Sequence, residues 1–213
     1  MSKRTIIQAD AIDWMRSHGE QFGTVITSPP DASEINLPPE QWEGWFFNAV
    51  SLCMACARSG CPAIFYVTDR KADSRLYSKP SIIFKAAELM DFVPVWHKIC
   101  LRRDVNKTDL MRPTFTHLMA FALRGKTKPG TATPDVIYRG STLYPNGMGL
   151  NACVVAMRYA LGFVAPVLDP FCGRGTVLAV ADTFGIPCTG IDIDAGQCDE
   201  ARKLIIDPIP YQV

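Results

Sequence analysis

No apolar run in the 213-residue sequence approaches the roughly 18 residues needed to cross a bilayer. The N-terminal Met-Ser-Lys-Arg-Thr-Ile-Ile also lacks the apolar stretch of a secretory signal. These absences exclude a helical membrane-spanning protein and lead to the expectation of a soluble intracellular one, cytoplasmic or nuclear/nucleoid, with no membrane partner. Excess charge of one sign is missing too. Lys and Arg number 22 against 21 Asp and Glu, a net charge of +1, which excludes a broad polyanion-coating surface and leaves room for a local basic patch. There is no internal repeat and no low-complexity segment, so solenoid and linker-like organisations are excluded. The eight cysteines lack the spacing of a disulfide framework and lie scattered in apolar segments, as reduced buried thiols do. Cys53, Cys56 and Cys61 come closest to a metal pattern. One Cys-x-x-Cys without a second pair, at i, i+3 in a helical segment, falls short of a zinc site, and no metal is expected.

What is present is an ordinary globular composition, 48% hydrophobic and 20% charged, in a length that suits one domain. The stretch around which the chain is organised is Asp169-Pro-Phe-Cys-Gly-Arg-Gly-Thr176. Val-Ala-Pro-Val-Leu before it reads as a short buried strand, and Thr-Val-Leu-Ala-Val-Ala-Asp-Thr-Phe after it has helical apolar spacing. Glycines at 173 and 175 let backbone approach a ligand, and a helix N-terminus there offers unpaired N–H groups. One helix later, Pro187-Cys-Thr-Gly-Ile-Asp192 reads as a second strand ending in an acid, where open α/β sheets place a carboxylate that accepts from a ribose diol. A nucleoside-containing cofactor is expected.

Read in order, the chain alternates strands with helices. Thr5 to Gln8 reads as a strand and Asp10 to Arg16 as a helix. Gly23 to Thr27 is a small buried strand running into Ser28-Pro-Pro-Asp31, whose prolines fix an extended turn at the strand's end. Pro39 to Arg58 has the apolar spacing of a long helix. Cys61 to Thr68 reads as a strand ended by the charged turn Asp69-Arg-Lys-Ala-Asp73; Ser81 to Met90 is a helix, and Phe92 to Leu101 a strand. The polar loop 102–113 carries Arg102, Arg103, Lys107 and Arg112, and Thr116 to Leu123 pairs antiparallel with the preceding strand. Gly125 to Pro145 is rich in Gly, Pro and Thr and reads as a loop with one short strand at most, before a helix from Gly149 to Leu161. The expected fold is an α/β sheet with helices on both faces, mostly parallel and closing in an antiparallel pair.

Two motifs together, Asp-Pro-Phe-Cys-Gly-Arg-Gly-Thr at 169–176 and Thr-Ser-Pro-Pro at 27–30, resemble the S-adenosylmethionine-dependent methyltransferases of the N4-cytosine and N6-adenine family, which modify exocyclic amino groups in DNA or RNA. The resemblance covers nearly the whole chain. With the Ser-Pro-Pro segment first and the glycine turn last, the order looks like that family's circularly permuted β arrangement. It implies a Rossmann-like fold with a mostly parallel seven-stranded sheet, in one methyltransferase domain over 1–213: a catalytic segment 1–124, a loop 125–148 and a cofactor-binding segment 149–213. It implies S-adenosyl-L-methionine as cofactor, with Asp10 and Ala11 near the adenine, Asp192 on the ribose hydroxyls, and Asp169, Phe171, Gly173, Gly175 and Thr176 around the remainder. Ser28, Pro29, Pro30 and Asp31 are the implied catalytic residues. Serine at the first position of the motif looks more like the N4-cytosine branch than the N6-adenine branch.

Chemistry agrees with that reading. An aromatic amine is a poor nucleophile because its lone pair is delocalised, and Ser28 with the Pro29 carbonyl, both accepting from the amine, would localise that pair by geometry. The base must leave its stack or already be single-stranded. The sequence departs from the family in two ways. Asp31 stands where the family has an aromatic that stacks on the base, so stacking would fall to Trp42, Trp45 or Trp96, although the spacing of the first two is equally that of core residues. Asp31 itself either reads a base edge, takes up the released proton, or caps a helix. The interval 125–148 is too short for a separate target-recognition module, so selectivity is low, or a partner protein or homo-oligomer supplies it, or the substrate is a structured RNA. Arg102, Arg103, Lys107 and Arg112 are candidate substrate contacts, with a solvated charged face as the alternative; His97 and His117, in apolar strands, read as structural. Two other functions remain open: methylation of a nitrogen on a small molecule or protein, and a cofactor-binding scaffold without catalysis.

Overall fold

In the computed structural model, which describes residues 4–18, 22–57, 59–72, 75–110, 112–126, 133–163 and 165–207, strands and helices alternate along most of the chain. The first part contains β1 (Arg4–Gln8), α1 (Ala11–His18), β2 (Thr24–Thr27), α2 (Ala32–Ile35), α3 (Pro39–Cys56) and β3 (Ala63–Val67). The middle contains β4 (Arg70–Ala72), β5 (Arg75–Tyr77), α4 (Lys79–Leu89), β6 (Phe92–Leu101), β7 (Phe115–Leu123) and β8 (Val136–Tyr138). The last part contains α5 (Leu150–Leu161), β9 (Val167–Asp169), α6 (Thr176–Thr183), β10 (Cys188–Asp192) and α7 (Ala195–Lys203).

Eight strands form one sheet in the order β1-β10-β9-β2-β3-β7-β6-β8. Every neighbouring pair is parallel except the two made by β7, which runs antiparallel to both β3 and β6. The Rossmann-like, mostly parallel α/β architecture anticipated from the alternating pattern is therefore what forms. It has one strand more than the seven anticipated, because the short β8 adds to the edge beside β6. The reversed strand lies inside the sheet. The charged segment from Asp69, expected as a simple turn, instead starts a two-stranded hairpin of β4 and β5 outside the main sheet; Asp73, like Arg58 at the foreseen end of the long helix, Val164 in the foreseen strand and much of the loop 125–148, lies outside the described residues.

Helices on both faces explain why β2 and β3 are buried at every position. Along each strand successive side chains serve opposite faces. Val25, Phe65, Met119 and Phe121 pack under α1, α3 and α4, whereas Ile26, Ile64, Leu118 and Ala120 pack under α5 and α6. The eight cysteines are buried.

The register sets up the site. The first strand pairs with the last, Gln8 opposite Asp192, so Asp10 and Asp192 arrive at one end of the sheet. Val25 of β2 lies opposite Leu168 of β9, so Ser28 and Asp169 leave adjacent strands at that same carboxyl edge. Two motifs far apart in sequence (Thr27 to Asp169 is a separation of 142) meet through that pairing.

Candidate active site

The turn after β9 is built from hydrogen bonds to two carboxylates. Asp169 is 2% exposed and its Oδ1 accepts from Thr27 Oγ1 at 2.7 Å and from the Phe171 N–H at 3.2 Å. Burial pushes its pKa up to about 7, the two hydrogen bonds acting against burial and the Asp192 charge adding to it. Asp192 accepts from the Gly173 N–H and the Asp194 N–H, each at 2.9 Å, and burial likewise raises its pKa. Asp192 thus shapes the glycine turn as well as facing the cavity beside it. Gly173 has φ of +52° and Gly175 of +88°. A Cβ at Gly175 would come within 2.9 Å of the Ala201 Cβ, and one at Gly190 within 2.4 Å of Leu178 Cδ1. Those two glycines are required by packing, and Gly175 is not among the residues lining the cavity.

That cavity, of about 990 Å³, lies over the carboxyl ends of β1, β10, β9 and β2, the edge where open α/β sheets bind ligands. Asp10, Ala11, Asp169, Phe171, Gly173, Thr176 and Asp192 line it, with Ser28 and Pro30 at one side. Thr176 Oγ1, at the start of α6, is buried, and although Tyr144 approaches it no hydrogen bond closes. Trp45, read from the sequence as a possible stacking residue or a core residue, also lines the cavity, as do Tyr144, Asn146, Ile193 and Gln197, which sequence reasoning missed. Trp45 meets Phe171 edge-on, ring centroids 5.8 Å apart. Among the described lining residues, Asp10, Glu34, Asp169, Asp192, Asp194 and Glu200 face one cation, Arg174. The cavity is therefore acidic and favours a cationic occupant.

A second cavity of about 540 Å³ adjoins it and shares Ser28, Glu34, Pro145, Asn146 and Gly147 with the first. Here the charge is reversed: Arg70, Lys71, Lys79, Arg102, Arg112 and Arg139 outnumber Asp31, Glu34 and Asp69. Of the four cations anticipated as substrate contacts, Arg102 and Arg112 line this cavity and two do not. Arg103 pairs with Asp109 at 3.2 Å on the surface, and Lys107 stands in the exposed turn begun by Asp104. Arg70, Lys79 and Arg139 carried no signal in the sequence beyond their charge; the topology brings them in.

The Ser-Pro-Pro turn is braced from behind. Trp42, 1% exposed, donates its indole N–H to the Pro30 carbonyl at 3.2 Å, so it belongs to the core and to the turn's support. Trp96 packs edge-on against Tyr159, away from both cavities. Tyr66 is the aromatic residue that lines the second cavity. Asp31 caps α2, accepting from the Ala32 N–H at 3.0 Å while Glu34 accepts from the Asp31 N–H at 2.7 Å, a reciprocal capping box. Its other neighbour is Lys79 Nζ at 3.5 Å. Lys79 is buried, its ammonium lies over the Trp42 and Phe46 rings, and burial lowers its pKa against the opposing pull of Asp31, Glu34 and Asp69. His97 and His117 are hydrogen-bonded to each other at 2.9 Å, and His117 to Asp69 at 3.2 Å, a network that ties β6, β7 and the end of β3 together.

The sequence matches no protein-family model and no curated protein. Solved structures do match in fold. TTHA0409 of Thermus thermophilus, classed provisionally as a DNA modification methylase and solved in complex with S-adenosyl-L-methionine, superposes with a TM-score of 0.72 at 18% identity, over 94% of this chain and 92% of that one. The M1.HpyAVI–SAM complex gives 0.65 at 18% identity over 94% and 98%. PvuII DNA methyltransferase, cytosine-N4-specific, gives 0.77 at 13% identity over 99% and 91%.

Proposed function

We propose that this chain is an S-adenosylmethionine-dependent N-methyltransferase acting on the exocyclic amino group of a nucleic-acid base, N4 of cytosine in preference to N6 of adenine, in DNA or RNA. The observation that carries the reading is that Ser28 lies at the junction of two cavities of opposite charge. An acidic cavity suits a cofactor with a sulfonium and an ammonium group and disfavours a pyrophosphate, which separates S-adenosylmethionine from a dinucleotide. A basic cavity suits a substrate bearing phosphates. The fold shared with methyltransferases that are N4-specific or were solved with S-adenosylmethionine supports the same assignment.

In this reading Asp192 holds the ribose, Asp10 and Ala11 lie by the adenine, and Thr176 Oγ1 with the glycine turn holds the remaining polar groups. The bound cofactor supplies an electrophilic methyl group. Ser28 Oγ has no hydrogen-bond partner among the described residues, and it accepts one amine N–H while the Pro29 carbonyl accepts the other. The lone pair is thereby localised and aimed across the junction. Pro30, whose carbonyl is already taken by Trp42, and Asp31, engaged with α2 and Lys79, keep the turn rigid.

Methyl transfer from labelled S-adenosylmethionine, offered in parallel to genomic DNA, total RNA and a metabolite extract, tests the proposal. Label in DNA or RNA is expected. Label confined to small molecules or protein would move the reading to a nitrogen of that class, and measurable cofactor binding with no label anywhere would leave a scaffold.

A further inference from the structure

The second cavity is lined by polar groups that the transfer step does not use. Tyr66, 5% exposed, presents a buried hydroxyl with no hydrogen-bond partner. Burial raises its pKa; Thr116 and the Gly149 backbone lie near enough to act the other way, but neither closes a hydrogen bond to it. The Thr116 hydroxyl is instead engaged with Thr68 Oγ1 at 3.0 Å. A buried phenol left unpaired costs stability unless a ligand satisfies it. Three arginines line the same cavity, Arg102 and Arg112 in the loop between β6 and β7 and Arg139 just after β8, and the charges of Arg102 and Arg139 are close enough to act on Tyr66. None has a carboxylate within 4 Å among the described residues. The cavity's acids are already committed: Asp31 to Lys79 and the α2 cap, Glu34 to the capping box, Asp69 to His117 and the Lys79 N–H. Burial, together with the neighbouring Arg139, Arg112 and Arg103 charges, lowers the Arg102 pKa against an opposing pull from Tyr66.

The backbone that carries Arg139 is fixed rather than loose. Its carbonyl accepts from the Asn151 and Ala152 N–H groups at the start of α5, and its N–H donates to the Leu101 carbonyl at 2.9 Å, beside Arg102. A Cβ at Gly149 would lie 2.3 Å from the Arg139 carbonyl oxygen, so only glycine lets α5 press against this segment. Two loops far apart in sequence are thus locked side by side with their guanidinium groups in one cavity.

We propose that Tyr66, Arg102, Arg112 and Arg139 form a phosphate site, in which the phenol O–H and the guanidinium forks donate to the non-bridging oxygens of a phosphodiester belonging to the strand that carries the target base. The inference rests on the nucleic-acid reading above for the identity of the phosphate's owner, and on the orphaned hydroxyl and unpaired cations for the phosphate itself. A planar fork donates two parallel N–H groups to a phosphate. Ser28 lines the same cavity and, in the reading above, takes the amine while these four residues take the phosphate. It makes the sugar-phosphate backbone, rather than base stacking, the main hold on the substrate, consistent with Asp31 in place of an aromatic.

The test is equilibrium binding, in the absence of cofactor, of a fluorescein-labelled single-stranded 12-nucleotide deoxyoligonucleotide over a range of salt, with cytidine 5′-monophosphate and cytidine as competitors. Arg102→Gln and Arg139→Gln should each weaken binding about tenfold and lower the salt slope by about 0.7, the loss of one single-strand phosphate contact. Tyr66→Phe should weaken binding a few-fold with the slope unchanged, since a neutral donor is lost. Circular dichroism and thermal melting establish that each variant is folded. Competition by the monophosphate and not by cytidine supports the site; if the monophosphate competes as well as an unlabelled oligonucleotide, the owner is a free nucleotide. Slopes unchanged in folded variants, or equal competition by cytidine, would overturn the proposal. Because no methyl transfer is read, a folded enzyme that binds with this arginine dependence yet methylates no nucleic acid would sink the catalytic reading and leave the phosphate site standing.

Discussion

Asp169 is the residue on which fold and site depend together. It is buried, braced by Thr27 and the Phe171 N–H, and its carboxyl ionises near 7 instead of near 3.8. A carboxyl whose folded-state pKa is raised contributes stability that is complete below about pH 4 and is lost as pH rises through about 7. Asp169→Asn mimics the protonated acid at every pH. Relative to wild type, its unfolding free energy should therefore climb between pH 4 and 8, by up to about 4 kcal/mol for a shift of roughly three pH units. Urea denaturation across that range measures it, and parallel pH curves for the two proteins would show that Asp169 is ionised throughout. The proposed function gives Ser28 and Asp192 different tasks at the same site. Asp192→Ala should lower cofactor affinity by isothermal titration, while Ser28→Ala spares affinity and lowers turnover about 100-fold, in line with removal of one fixed partner of the reacting group. Equal loss of cofactor affinity in both variants contradicts that division.

At the scale of elements, what was legible in the sequence tracks local physical signals. The strands at 24–27, 63–67 and 115–123 are buried almost throughout, the strand at 92–101 only in part, and all four are apolar-rich runs bounded by Gly, Pro or charge that lie where expected. The one-turn helix α2 was visible only as one of the alternatives for Asp31, a helix cap, because too few apolar residues follow it to show a period. The hairpin of β4 and β5 has three-residue strands bearing charges, and α7 is too polar to show its buried stripe of Cys198 and Ala201. Asp31 can be dissected at this scale. Asp31→Asn keeps a good cap but removes the charge that faces the buried Lys79 ammonium, so its cost, of order 1 kcal/mol by thermal or chemical unfolding, reports the ion pair; Asp31→Ala loses the cap as well and should cost about 1 kcal/mol more. Gly190→Ala is a packing test of the β10–α6 contact. Its methyl would meet Leu178 Cδ1 and the Cys172 side chain at 2.4 and 2.9 Å, so a loss of about 1–3 kcal/mol is expected from denaturant melts.

At the scale of the whole molecule, the chain order was informative and the cavities were not. The late glycine turn and the early Ser-Pro-Pro segment foretold that the two would meet only in the folded sheet, and they do, with Gln8 of the first strand opposite Asp192 of the last. No periodicity could foretell that Arg139 and Arg102 would share a cavity, since only the pairing of β8 with β6 brings them together. The same holds for Tyr144 and Trp45, placed at the first cavity by long-range packing. The resulting molecule divides its charge between two adjoining cavities, one acidic and one basic, which the proposed function assigns to cofactor and substrate, with Ser28 lining both. That account is tested most directly by digesting labelled nucleic-acid product to nucleosides and identifying the methylated atom. The label is predicted on the exocyclic N4 of cytidine or deoxycytidine, lost on Ser28→Ala; label on a ring carbon or a ring nitrogen would contradict the amine mechanism and the role given to Ser28.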